Sequence, residues 1–514
     1  MLSFIVRRFA ATIVVLLVAS FVVYQLTAIS GDPLQELRVG GDQQALVRIA
    51  YLTEVLDLDV PPALRYFFWL SGAAGCLIGQ CDLGISVSKG GAEVTEILGT
   101  AMASTLQLIT LATILSILVG VAVGMTTALR QYSGYDYTVT FFAFVFYSLP
   151  IFWVAVLLKE FGAIQFNRFL ENPVLSNSAL ALVSLFLAAM VTGIAGGGLK
   201  TRVRVFLMSL VLVGALLISL NLSQWLKYPS IGMVGAVLIS ALIAGVVLLL
   251  TTGFGQRRSL LIVGAMPLVT GAMWLPGQYL FFYVDGLLGI LAITAILAAI
   301  GVGLALVFGG DGRREIARAS GVVGALSGLV LVVDEALQYW SRYLELIPIK
   351  SGFVSTIGAV TPTIAREDNM WLSLLDGYAH LILPTAALMI ISVAGYTRYA
   401  RASLLEVMNQ DYIRTARAKG LSERVVVVRH AFRNAMIPIT TIIAFDISGL
   451  IGGAIITERV FAWEGMGALF NRGLNDVDVN LVMGFFLVTG LFAVIGNLVA
   501  DLLYTALDPR IRVN

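Results

Sequence analysis

The sequence predicts an all-α polytopic membrane protein, and three observations carry that expectation. Hydrophobic residues make up 59% of the chain and charged residues 12%, whereas soluble globular proteins carry about 25% charge. Apolar runs of about 20 residues, long enough to cross a bilayer as helix, recur along the whole sequence. Lys and Arg gather in short turns between these runs, at 200–204, 257–258 and 313–318, and such charges are retained on the cytoplasmic side of a membrane. The net charge of +2 points to no nucleic-acid partner. Two cysteines and two histidines are too few for a metal centre or a disulfide scaffold.

The first span is expected at about 9–29, entering past Arg7 and Arg8. It lacks a clear small-residue cleavage site, so it reads as a retained span rather than a signal peptide. Ser30-Gly31-Asp32-Pro33 ends it as a turn. A polar outer region follows to about 99. Within it, Cys76 and Cys81 form either a small disulfide loop or two free thiols. Span 2 is expected at about 105–129, with Gly120 and Gly124 giving it a close-packing face. Span 3 follows at about 139–161, with a kink or break at Pro150.

From about 172 to 342 the chain is almost continuously apolar. The charged turns divide it into six spans, at about 177–196, 204–221, 231–252, 259–275, 283–308 and 320–337. An even number keeps both ends of this block on the outer side; five spans would break that parity. Asp334, Glu335, Lys159 and Glu160 lie near span ends and are expected to snorkel to the interface. The run Ala195-Gly196-Gly197-Gly198-Leu199-Lys200-Thr201 is not a phosphate loop. Leu199 separates Gly198 from Lys200, and no strand precedes it.

An outer segment leads to span 10 at about 381–396. Span 11 is expected at about 437–456 and span 12 at about 481–503, which places both termini in the cytoplasm. Between spans 10 and 11 lies a long basic segment, 398–438. A helix, a break at Gly420, a second short helix over 421–428 and a membrane entry at Pro438 fit its spacing. Asp446 falls inside span 11. An ionisable residue at that depth either lines a pathway or makes hydrogen bonds within the bundle. His380 and His430 read as structural.

The basic segment carries Arg401, Ser403, Leu405, Glu406 and Val407, then Asp411, Tyr412, Arg414, Ala416, Arg417, Ala418, Lys419, Gly420 and Leu421. His430, Arg433, Asn434, Ala435 and Pro438 complete it. This pattern resembles the cytoplasmic coupling loop of ABC importer permeases of the dipeptide and oligopeptide family. The resemblance continues in Gly31-Asp32-Pro33, in Leu56, Leu58, Asp59, Pro61 and Tyr66, and in Asp82-Leu83-Gly84 with Ser86. It also covers Thr105-Leu106-Gln107-Leu108, Ser148 with Pro150, His380 with Pro384, and Glu458, Phe461, Gly465 and Gly467. Asn497, Asp501, Tyr504 and Asp508-Pro509-Arg510 close it. Cys81, Glu464 and Asp478-Val479-Asn480 depart from the usual spelling, and the 172–342 block has no counterpart.

The resemblance implies a six-span permease core in two parts, 1–171 and 343–514, interrupted by about six inserted transmembrane helices at 172–342. It implies transport of peptides across a prokaryotic cytoplasmic membrane by alternating access, with nickel chelates or sugars as alternative cargo. The partners implied are a second permease subunit, two ATP-binding cassette subunits and an extracytoplasmic solute-binding protein. This chain would bind no cofactor and hydrolyse no ATP; ATP and Mg would sit on the ATPases. Arg414, Arg417 and Lys419 would steer docking, and Ala416 and Ala418 would allow close packing. A secondary transporter is the competing class. It would show an internal repeat, and the inserted block does not echo its flanks.

Overall fold

The computed structural model describes residues 2–507 apart from 41, 42, 196, 252, 254, 285 and 348–351. Lys350, Gly196 of the Gly-rich run, the closing Asp508-Pro509-Arg510 and the terminal tail lie outside the described residues. Among the described residues, eight helices are long and apolar enough to cross a membrane, or up to nine when the pair bent at Pro150 counts as one span. Shorter apolar stretches lie at Ile13–Ile29 and Asn177–Gly193. The protein is an all-α polytopic membrane protein.

The core consists of α1 (Leu2–Ile29), an outer helix α2 (Pro62–Gly75), α3 (Val94–Leu129), α4 (Gly134–Ser148) and α5, which spans Ile151–Glu171. There follow α6 (Asn177–Ala195), α7 (Leu199–Leu222), α8 (Gly232–Leu250), α9 (Arg257–Tyr283), α10 (Leu287–Phe308) and α11 (Arg313–Gln338), the stretch expected to be inserted. The core resumes with α12 (Met370–Met408), α13 (Asp411–Ala418), α14 (Phe432–Gly453), α15 (Met466–Asn475) and α16 (Val479–Leu507).

Helices α3 and α12 pack along each other at the centre of the core. A Cβ on Gly120 would meet Tyr396, and one on Gly124 would meet Thr397 and Ala400, so glycine lets the two backbones approach. The Thr397 hydroxyl donates to the Gly120 carbonyl at 3.3 Å. At 36 and 39 residues, both helices exceed the roughly 20 needed to cross. The basic segment therefore begins as the last turns of α12 and not as a loop. At Pro150 the expected kink is a full break: α4 and α5 meet at 104°. In α5, half-buried Lys159 donates to the Val460 carbonyl at 3.2 Å, and Glu160 accepts from Gln165 at 2.8 Å.

Among the described residues of 172–342, six long helices pack as two groups. The α6–α7 hairpin leans on α4, while α8–α11 pack among themselves and against the first turns of α12. Phe281 meets Trp371 edge-on, with ring centroids 5.0 Å apart. Helix α9 does not stop at 275. It runs through Pro276 to Tyr283, so Tyr279 and Tyr283 are helical rather than in a turn. A membrane helix tolerates such a proline when neighbours satisfy the freed backbone. Ser320, Gly324 and Gly328 recur every four residues along α11. A Cβ at Gly324 or Gly328 would strike the backbone of α10. The hydroxyl of Ser240 lies 3.1 Å from that of Thr270 and 2.7 Å from that of Ser327, joining α8, α9 and α11.

Asp334 is a correction. It is 4% exposed and does not snorkel. Its Oδ1 accepts the N–H groups of Ile231 and Gly232 at 3.1 and 2.7 Å, and its Oδ2 accepts Trp274 Nε1–H at 2.7 Å. One carboxylate thus closes the start of α8 and ties it to α9 and α11.

On the side opposite the basic segment, the motif residues meet in pairs. Asp32 Oδ1 accepts the Leu34 N–H at 2.9 Å and holds the turn after α1. The Tyr66 hydroxyl lies 2.8 Å from that of Ser20, joining α2 to α1. Strand β1 (Ile85–Ser86) pairs antiparallel with β2 (Ala92–Glu93). Asp478 accepts from the Ser86 hydroxyl at 2.6 Å and the Ser88 N–H at 3.1 Å. Asn480 donates to the Ile85 carbonyl at 3.1 Å. The unusual Asp478-Val479-Asn480 spelling therefore closes this strand pair. Cys76 and Cys81 are joined as a disulfide. The two edges of the inserted block are also held together: Asn167 accepts the Val354 N–H at 3.0 Å and donates to the Val354 carbonyl at 2.9 Å.

Candidate functional site

Helix α13 is amphipathic. Ile413 and Ala416, three residues apart, are buried against Leu404, Val426, Ala431 and Ala435 and against Met125 of α3. The remaining residues of α13 are exposed, Arg414, Arg417 and Ala418 among them, as are Lys419 and Gly420 beyond it. The small side chain at Ala416 lets α13 pack closely on this chain's own core, and Ala418 is exposed.

The helix ends in a Schellman turn. Gly420 has φ +75°. Its N–H donates to the Arg417 carbonyl at 2.9 Å, and the Leu421 N–H donates to the Ala416 carbonyl at 3.4 Å. Only glycine takes that backbone conformation without strain. Across the turn, Arg417 Nε donates to Glu423 Oε1 at 2.7 Å, so the arginine expected to steer a partner is also paired within the turn.

The segment after the turn differs from expectation. Helix resumes at Glu423–Val425, continues through a π-turn at Val426–Ala431 and runs directly into α14. The second helix is therefore the start of the membrane helix itself, and Pro438 lies inside that helix. Leu421, Val425, Val428 and Phe432 leave large apolar side chains exposed along it. His430 and Asn434 are half-buried and Arg433 is exposed.

Two bonds fix this unit to the core. Ser403 donates to the Ala435 carbonyl at 2.7 Å. Arg401 grips Asp136 at the start of α4 with both ends of its guanidinium, at 2.8 and 3.0 Å. Sequence reasoning missed Asp136, which belongs to no motif and lies 265 residues from its partner. It missed Glu423 because a pair six residues apart across a turn fits no helical spacing.

Other motif residues build rigid supports on the far side. The Glu458 carboxylate is fully buried. It accepts from the Thr105 hydroxyl at 2.6 Å, from the Ala468 N–H at 3.0 Å and from the Gly467 N–H. A Cβ at Gly465 or Gly467 would run into that carboxylate, which is why the two glycines stand there. Burial pushes the Glu458 pKa up, against the opposing pull of those hydrogen bonds. His380 Nδ1 lies 2.8 Å from the Gly358 carbonyl, which only accepts, so Nδ1 carries the proton. Its Nε2 lies 3.1 Å from the Thr361 hydroxyl and 3.4 Å from Asp376. The Tyr343 hydroxyl donates to Asp376 at 3.3 Å. Burial, reinforced by Asp376, pushes that phenol far above its usual range, so it stays a donor. Asp446 accepts from the Tyr396 hydroxyl at 2.6 Å and is itself exposed in the single chain. No group of His, Cys, Asp or Glu able to hold a metal occurs among the described residues.

Comparison with known proteins gives the class. Residues 322–513 match the family described as binding-protein-dependent transport system inner membrane component. Over those residues the chain is similar to that family. Among individual proteins, the chain is 41% identical over 157 residues to the oligopeptide transport system permease protein OppB of Mycobacterium bovis. That alignment covers 30% of this chain and 48% of the relative. It is 43% identical over 144 residues to the oligopeptide transport system permease protein AppB of Bacillus subtilis, covering 28% and 46%. It is 44% identical over 138 residues to the dipeptide transport system permease protein DppB of Escherichia coli K12, covering 27% and 41%. The chain thus spans about half the length of these curated relatives.

Proposed function

We propose that this chain is a transmembrane permease subunit of an ATP-binding-cassette importer that carries peptides across the cytoplasmic membrane. The observation that carries the reading is the α13–Gly420–Glu423 turn. Its apolar side is anchored on the core, while its basic residues and Leu421, Val425, Val428 and Phe432 face outward. A surface that is anchored behind and presents exposed apolar and basic side chains in front is built to receive force from another protein. Two separate ATPase subunits, holding ATP and Mg, dock there on the cytoplasmic side. Their closure shifts the membrane helices between two states. A second permease subunit forms the other half of the pathway, and a solute-binding protein delivers peptide from outside.

The docking is tested by cross-linking. Cys76 and Cys81 are bonded, so Ser422→Cys introduces a single free thiol on the exposed turn. Co-expressed with the ATP-binding cassette subunits of the same transport system, this variant yields a permease–ATPase product with a short bifunctional reagent. Failure to form that product, with both proteins present in the membrane fraction, refutes the docking.

Asp446 is assigned to the pathway on its open position beside Tyr396. Asp446→Asn keeps the hydrogen bond from Tyr396 but removes the charge, and peptide uptake falls by about tenfold, the effect of about 1.4 kcal/mol. Unchanged uptake assigns Asp446 to packing alone.

A further inference from the structure

We infer that a phospholipid with an anionic headgroup occupies the groove between the inserted α6–α7 hairpin and the turn joining α3 to α4. The groove has a volume of about 880 Å³, and no acidic residue lines it. Its mouth holds Arg130, directly after the last residue of α3, and Arg202, in the first turn of α7. Tyr132 and Tyr135 stand beside them. Lys200 and Arg204 add exposed charge on the same end of α7. Among the described residues no carboxylate pairs with Lys200, Arg202 or Arg204.

Deeper in, the walls turn apolar. Phe206 and Leu207 line the α7 side about one turn along the helix from Arg202 and Val203, and Ala189 and Gly193 of α6 line the same groove. Charge therefore sits at the helix ends, where headgroups lie, and apolar surface lies at acyl depth. A soluble anion would satisfy the mouth and leave the walls in water. A phosphodiester carrying acyl chains satisfies both, and basic clefts between membrane helices suit such lipids. The small residues of the 195–201 run then have a use other than nucleotide binding: Gly197, at φ +89°, turns the chain beneath the mouth without filling it.

The test uses the full chain in nanodiscs of phosphatidylcholine with a minority of phosphatidylglycerol, followed by native mass spectrometry of the lipid retained after detergent extraction. The wild type retains phosphatidylglycerol in preference to phosphatidylcholine. Arg202→Gln lowers that retention about fivefold, the effect of one basic residue near an anionic lipid, whereas Arg314→Gln, on the same basic side but outside the groove, leaves it unchanged. Phe206→Ser also lowers retention with every charge intact, and excess inorganic phosphate does not displace the lipid. Equal retention of both lipids by the wild type overturns the assignment. So does wild-type retention by Arg202→Gln, or release by phosphate.

Discussion

Gly420→Pro abolishes peptide uptake while the chain still reaches the membrane. Proline fixes φ near −65° and has no N–H, whereas Gly420 stands at φ +75° and donates to Arg417. The substitution costs about 3 kcal/mol at the turn and releases the Leu421 bond that closes it. Nothing lies within 4 Å of a Cβ built on Gly420, so crowding plays no part and the backbone angle alone is at stake. That allows a graded series. Gly420→Ala costs about 1–2 kcal/mol, and Gly420→Asn costs less because asparagine visits the left-handed region. Uptake, normalised to the amount of chain in the membrane, ranks Asn above Ala above Pro. Wild-type uptake by the proline variant would show that the turn receives no force.

Glu458→Ala has the largest expected effect on stability. It strands the Thr105 hydroxyl and the N–H groups of Ala468 and Gly467 in a buried site, at about 1–3 kcal/mol for each orphaned donor. The chain then accumulates poorly and melts at lower temperature in detergent. Glu458→Gln behaves differently. Its amide oxygen keeps the two N–H groups, and its NH₂ donates to Thr105 once that hydroxyl turns. The two variants also separate by pH. Because burial raises the Glu458 pKa above its unfolded value, the folded chain holds the extra proton between the two values. Stability therefore falls as pH rises through that window and is level above it. The glutamine variant lacks this slope. Equal melting of the alanine variant and the wild type would mean that the carboxylate holds nothing.

Much of the architecture was legible in the sequence because charge punctuates it. Lys200, Arg202 and Arg204, then Arg257 and Arg258, then Arg313, Arg314 and Arg318 divide the inserted block at the places where helices end. Helix ends inside mixed stretches were not legible. Asp376 and His380 lower the hydropathy of the first turns of α12, yet they are buried in a hydrogen-bonded cluster with Tyr343 and Thr361. Tertiary partners, not composition, decided that the segment is helix. The same holds for Asp334, which looked like an interfacial charge and is a cap donated from another helix. At the candidate site, the Gly420 break followed from chemistry that only glycine offers. The facing of Ala416 did not, since a linear motif does not say which side of a helix is inward; its spacing from Ile413 does. The Arg401–Asp136 grip, made across 265 residues, had no local signal.

The Asn167–Val354 pair bears on how the chain leaves and rejoins the same place across the six long helices described between them. Asn167 lies near the end of α5, and Val354 follows the return of the chain from α8–α11. Two backbone-directed bonds hold them side by side. The other ties between the core halves, Ser86 to Asp478, Thr105 to Glu458 and Asp136 to Arg401, likewise run through space. The core is stitched across this seam, so its geometry does not depend on the length of polypeptide that leaves at one edge and comes back at the other.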